Sequence, residues 1–178
     1  RLPSGDTAVK EPRRTAIGLL YELGDGNLEG YYDLDIIKQF TSAEIGVLVK
    51  LMKENINAPY TSSMGRLFDG ISALLGLCGV NTFEGQAASS LEYQALSNSK
   101  LGAYSYQRMN NTDGDGYYID WHPLLRDIIN DHRRSIPVAH IATRFHHALI
   151  EMIVDVVYLS KLKKVILTGG CFQNKFLL

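Results

Sequence analysis

Residues 164–174 read Lys-Val-Ile-Leu-Thr-Gly-Gly-Cys-Phe-Gln-Asn. A short β-branched apolar run ends in two glycines and gives way to residues able to open a helix. That order predicts a buried strand over 164–168, a tight turn at Gly169-Gly170, and a helix start carrying Asn174. A strand of this kind belongs in the middle of a parallel sheet, yet no second segment in the chain has the same character. The partner strands are therefore expected to be short or to lie outside these residues. The first residue is Arg1, and the last segment stops within an element. Both features are read as the marks of a piece excised from a longer polypeptide.

Working outward, most of the remaining sequence has helical periodicity. The lead-in 1–12, with Pro3, Gly5 and Pro12, is expected to be extended. A helix is expected from Arg13 to Gly24, and a short one over 34–40. Thr41-Ser42-Ala43-Glu44 is a capping-box sequence for a helix running to about Asn57. Leu67, Phe68, Ile71, Leu74 and Leu75 mark another helix, stopped by Gly79. Further helices are expected over 84–97, over 121–134, and from Pro137 to about Leu159, the last with a deeply buried stripe reaching Val156 and Val157. Between them, YSYQ at 104–107 and YYID at 117–120 alternate like strands around the Asp-Gly-rich segment 110–116, which predicts a β-hairpin. No repeat or low-complexity tract interrupts the chain, which is read as one domain over 1–178. The fold class expected is α/β, helix-dominated, with a hairpin.

Composition narrows the function. The 178 residues are 46% hydrophobic and 21% charged, ordinary for a globular chain able to bury roughly 70% of its extended surface. Eighteen Lys and Arg balance nineteen Asp and Glu, for a net charge of −1, so no basic excess drives nucleic-acid binding. No apolar run reaches the length of a membrane span, and no signal-peptide core opens the chain. Cys78 and Cys171 form no CxxC and no disulfide pattern, which fits reduced thiols in a cytoplasmic protein.

Three segments can carry chemistry. Gly169 and Gly170 after the strand leave backbone N–H groups open to a phosphate or an adenosine, or they simply relieve crowding in a turn. Asn174 then offers a donor and an acceptor. In TSSMGRLFDG (61–70), Asp69 sits in an apolar helix, where it either pairs with Arg66 or grips a hydroxyl such as a ribose. Glu84-Gly85-Gln86 is better read as an ordinary helix start. The five histidines show no HxxxH spacing, so metal binding by this chain alone is not expected, and His146 beside Phe145 reads as a hydrogen-bonded core histidine. Cys171 at the turn reads as a small buried residue before a reactive thiol. The hairpin tyrosines, without basic residues among them, read as packing before base stacking.

EPRRTAIGLL (11–20), TSSMGRLFDGISALLGL (61–77), FEGQAA (83–88), ATRFHHAL (142–149) and ILTGGCFQN (166–174) occur in this order. Together they resemble the C-terminal part of the HypF-type hydrogenase-maturation carbamoyltransferases, over essentially the whole chain. That region is similar to the universal tRNA threonylcarbamoyladenosine synthase, in the actin-like ATPase superfamily. The resemblance implies a partial RNase H-like lobe. It makes Asp69 a ribose or carbamoyl-adenylate contact, Gly85 a backbone contact, Gly169 and Gly170 a phosphate or adenosine platform, and Asn174 a polar contact. Asp69 and the glycine doublet are then expected to face one adenosine-sized hollow.

The reaction implied uses carbamoyl phosphate and ATP, forms a carbamoyl-adenylate, and passes the carbamoyl group to the C-terminal cysteine of an acceptor protein, HypE. The divalent metal implied for the full-length family has its histidine pair in a preceding lobe and its aspartate further on, so its ligands are absent from this sequence. No catalytic residue is assigned, and the 178 residues alone are expected to be inactive. Two other readings remain: a helical interaction module that keeps the fold without the site, and the tRNA-modifying relative itself. The RLFDG wording and the tyrosine-rich hairpin do not suit the latter.

Overall fold

The computed structural model describes residues 1–97, 99–111 and 116–178. They divide into two compact units, Arg1–Tyr93 and Gln94–Leu178.

The first unit is helical. Its elements are α1 (Asp6–Lys10), α2 (Pro12–Leu23), a 3₁₀ turn at Glu29–Tyr31, α3 (Asp35–Lys38), α4 (Ser42–Lys53), α5 (Met64–Leu74) and α6 (Gln86–Gln94). The lead-in is not extended as expected. Ser4 and Gly5 take positive φ and turn the chain into the single helical turn of α1, which buries Ala8. Pro12 opens α2, where its missing N–H costs nothing. The capping box forms as written: Glu44 N–H donates to Thr41 Oγ1 at 3.2 Å, and Thr41 N–H donates to Glu44 Oε2 at 2.7 Å. That helix stops at Lys53, short of Asn57, because Asn55 and Asn57 both adopt positive φ.

The core of this unit is the packing of α2 against α5. Ile17 and Leu20 from α2 and Phe68 and Ile71 from α5 are at most 2% exposed. The two helices approach closely at Gly70, where an added Cβ would stand 2.4 Å from Leu19 Cδ1. The stop of α5 is Gly76, not Gly79. Gly76 has φ +74, and Leu77 N–H donates to Ser72 O at 2.9 Å while Gly76 N–H donates to Ala73 O at 3.0 Å. Those two bonds form a Schellman motif, which requires the left-handed residue directly after the C-cap.

The second unit holds β1 (Gln107–Asn110), β2 (Tyr117–Asp120), α7 (His122–Arg133), α8 (Val138–Ser160) and a 3₁₀ turn at Gly170–Gln173. The strands pair antiparallel, with Gln107 opposite Asp120 and Asn110 opposite Tyr117. The hairpin expected from the sequence is present, but its first strand starts at Gln107 instead of Tyr104; the Thr112–Asp115 part of its loop lies outside the described residues. Tyr104, Ser105 and Tyr106 are held by helices instead. Their hydroxyls donate to Asp131 at 2.8 Å, Asp127 at 3.0 Å and Asp155 at 2.5 Å, respectively.

The stripe of α8 is buried only in its first half. Ile141, Phe145 and Leu149 are covered, while Val154, Val156 and Tyr158 are exposed. The expected strand over 164–168 is not formed, and Val165, Ile166 and Leu167 are exposed. A strand exists only by pairing, and among the described residues the sheet contains β1 and β2 alone. The fold is helix-dominated with a hairpin, as expected. No helix among the described residues is long and apolar enough to cross a membrane.

Candidate functional site

Asp69 and Gly85 belong to the first unit; Gly169, Gly170 and Asn174 belong to the second.

On α5, Asp69 is 1% exposed in an otherwise apolar helix. Arg66, one turn earlier, brings Nη1 to 2.8 Å from Asp69 Oδ2. The approach is close but misaligned, so neither atom has a hydrogen-bond partner of proper geometry, and Ser72 Oγ, one turn after Asp69, is also buried and unpartnered. Positions 69 and 72 share a helix face. Burial pushes the Asp69 carboxyl up to about 6, against the pull of Arg66. Both open readings of Asp69 thus have a physical counterpart. The pair with Arg66 exists, yet it leaves acceptor capacity unmet.

Below the helix, Cys78 Sγ lies 3.4 Å from Val80 O and 3.5 Å from Asn81 Oδ1. Burial, with the Asp69 charge adding to it, raises the Cys78 thiol. Asn81 Oδ1 also accepts from Ala87 N–H at 3.1 Å, which ties the start of α6 to this loop. Gly85 precedes that helix with φ +79. Its carbonyl accepts from Ser89 N–H at 2.9 Å, and nothing lies within 4 Å of where a Cβ would stand. A side chain is disfavoured there by the backbone alone, and the space beside it is open.

In the second unit the turn is open. Gly169 has φ +101, and a Cβ on Gly169 or Gly170 would meet nothing within 4 Å. The helix expected after the glycines is a single 3₁₀ turn, closed by Phe172 N–H to Gly169 O at 3.1 Å and Asn174 N–H to Cys171 O at 3.2 Å. Asn174 ends this turn in extended backbone instead of standing in a first helical turn, and it is buried. Its Oδ1 accepts from Phe176 N–H at 2.9 Å, and its Nδ2 lies 3.0 Å from His146 Nε2. Cys171 is half-buried, more open than expected.

His146 is a core histidine, as expected: fully buried, with Nδ1 2.7 Å from Ala142 O. His147 Nδ1 reaches Leu101 O at 2.6 Å. Among the described residues no group of three or more His, Cys, Asp or Glu could hold a metal ion.

Two features escaped the sequence reading. Ser72 was visible as a polar position one turn from Asp69 on an apolar helix. The cluster of Tyr104, Asp131 and Arg144 was not visible. Arg144 and Tyr104 both donate to Asp131 Oδ2, and the Arg144 guanidinium lies 4.2 Å from the centre of the Tyr104 ring.

Residues 1–178 match the family described as the carbamoyltransferase Kae1-like domain, second subdomain. The chain is 36% identical over 187 residues to the carbamoyltransferase HypF of Synechocystis sp., covering 96% of this chain and 23% of that protein. It is 32% identical to the HypF of Rhizobium leguminosarum bv. viciae, covering 99% of this chain and 22% of that one. Among solved structures it is similar to full-length HypF in a phosphate- and nucleotide-bound form. There the TM-score is 0.88 at 32% identity, over 99% of this chain and 27% of that one. The chain thus spans about a quarter of the length of the relatives it matches. It belongs to the HypF carbamoyltransferase family, as the second subdomain of the Kae1-like domain.

Proposed function

We propose that this chain is the nucleotide-facing lobe of an ATP-dependent carbamoyltransferase that serves [NiFe]-hydrogenase maturation in the cytoplasm. Asp69 contacts the ribose or the carbamoyl-adenylate, Gly85 offers its backbone, Gly169 and Gly170 form the phosphate or adenosine platform, and Asn174 adds a polar contact. The observation that carries this reading is the orphaned polar face of α5. Asp69 Oδ2, despite its ion pair with Arg66, and Ser72 Oγ are buried without a hydrogen bond, in a family with a member solved in a phosphate- and nucleotide-bound form. A buried acceptor without a donor is costly, and a ligand hydroxyl is a donor that removes the cost. The open glycines at 85, 169 and 170 let a ligand meet backbone N–H groups without obstruction.

In the reaction, water cleaves carbamoyl phosphate to carbamate and phosphate, and a carbamate oxygen then attacks the α-phosphorus of ATP, so that carbamoyl-adenylate forms as the α–β bond breaks and pyrophosphate leaves. The cysteine thiolate of a HypE-type acceptor then attacks the carbamoyl carbon. The S–C bond forms as the C–O bond to AMP breaks, and AMP leaves with the electron pair. Adenylation provides the leaving group, so the protein's work is positioning and charge stabilisation.

Calorimetric titration of ATP into the full-length protein tests the reading. Asp69→Ala and Asn174→Ala should each weaken binding by about 10-fold, the loss of a charge-assisted or buried contact. Unchanged affinity in both variants would leave a helical interaction module with the fold and without the site. The 178 residues alone should give no turnover with carbamoyl phosphate and ATP, and measurable turnover would overturn that part of the proposal.

A further inference from the structure

We infer that His146 is a positioning residue for the Gly169–Asn174 turn, fixing which way the Asn174 amide points. This rests on the reading that the turn faces the nucleotide.

The orientation is determined from both ends. Ala142 O lies 2.7 Å from His146 Nδ1, and a carbonyl only accepts, so Nδ1 carries the proton and donates. The neutral ring then presents Nε2 as an acceptor, and Asn174 Nδ2 donates to it at 3.0 Å. At the other end Phe176 N–H can only donate, so Asn174 Oδ1 must face it, as it does at 2.9 Å. A flipped amide would set donor against donor at Phe176. The carbonyl of Ala142 thus chooses the tautomer of His146, the tautomer orients the amide, and the amide holds the chain where it leaves the 3₁₀ turn.

The Phe176 ring closes the arrangement, with its centre 5.1 Å from the His146 ring and 5.6 Å from the His147 ring. His146 lies in the buried first half of α8, a rigid support for an exposed turn. Beyond these two bonds the Asn174 amide has one further N–H and one further lone pair, both held in a fixed direction. A ligand meeting the turn then finds a donor already aimed, which lowers the ordering cost of binding.

The test uses the full-length protein and ATP as the probe. His146→Leu keeps an apolar side chain in the core and removes the acceptor; it should weaken ATP binding about 5-fold, the size of one neutral hydrogen bond. His146→Gln can return an acceptor oxygen to Asn174 and should restore affinity to within about twofold. A residue that only filled the core would lower the melting temperature in both variants and leave the affinity of the folded protein alone.

Gly170→Val is the control for the underlying reading, because that position tolerates a Cβ yet a branched side chain would block ligand approach. If Gly170→Val weakens binding and His146→Leu does not, the positioning role falls and the platform stands. If neither variant weakens binding, both fall. Should His146→Leu fail to fold, nitrogen spectra of selectively labelled histidine in the wild-type protein decide. The inference requires the Nδ1–H tautomer at His146, and an Nε2–H tautomer would overturn it.

Discussion

Helix α5 and the stretch 161–174 have opposite deficits. Along α5 every residue from Leu67 to Leu74 is buried, so its apolar demand is met, but Arg66 Nη1, Asp69 Oδ2 and Ser72 Oγ are left without hydrogen-bond partners. Along 161–174 the buried Asn174 has partners at both ends of its amide, while Leu162, Val165, Ile166 and Leu167 are uncovered. A completed core and a completed polar network are therefore separate achievements. A region that lacks one of them shows what kind of contact it awaits: hydrogen-bonding groups at α5, an apolar or strand-pairing surface at 162–167.

The comparison makes its largest claim about packing. Phe68 is 2% exposed on the α2–α5 interface, so Phe68→Ala should cost about 3–5 kcal/mol in a denaturant melt. A loss below about 1 kcal/mol would mean that α5 is not the completed core described.

The second claim concerns Asp69 and has the opposite sign. At pH 7 the carboxylate is ionised against the cost of its burial, which the Arg66 pair offsets only in part, so Asp69→Asn should stabilise the fold by on the order of 2 kcal/mol while weakening ATP binding. The pH dependence follows from a folded value of about 6 against 3.8 for an ordinary aspartate. The folded state takes up a proton between those values. The stability this contributes is whole below 3.8 and is lost as pH rises through about 6. The difference between wild type and Asp69→Asn should therefore shrink as the solution is acidified across that window. A constant difference would remove the argument from burial.

What the sequence disclosed follows the distance between partners. The Thr41–Glu44 capping box was legible because both partners sit within three residues, and the helix starts at Pro12 and after Pro137 were legible for the same reason. Gly79 was the expected stop of α5, but the helix ends at Gly76, because only the Schellman bonds, which join residues up to five apart, select the stop. The alternation of Tyr104, Ser105 and Tyr106 imitated a strand, but its partners are acids 27, 22 and 49 positions away on helices. Of the candidate site, the positive φ at Gly85 and Gly169 was implicit in their glycines. The inward turn of Asn174 was not, because its partner His146 is 28 positions back. The composition of 164–168 is that of a strand, and composition cannot supply the neighbour that pairing needs.

Tyr104→Phe sharpens the polar half of the contrast. Tyr104 is 1% exposed, and burial together with the adjoining Asp131 carboxylate drives its hydroxyl well above the usual tyrosine range. Removing the hydroxyl leaves Asp131 with Arg144, so the loss should be about 1 kcal/mol. A similar loss in Arg144→Met would place the two donors on equal footing. No loss in either variant would mean that the second unit does not depend on meeting its polar demand.

The smallest expected effect tests the uncovered stretch. Ile166 is 88% exposed, so Ile166→Ser removes almost no buried area and should change stability by less than about 0.5 kcal/mol. The same change in a buried strand would cost several times that. The informative measurement is the pairing of Ile166→Ser with light scattering across protein concentration. An exposed β-branched run with unpaired backbone is a template for association. The wild-type 178-residue chain should therefore show more mass growth than the variant at equal stability. If stability falls by more than about 1 kcal/mol, residues 165–167 are covered in solution, and the contrast with α5 disappears.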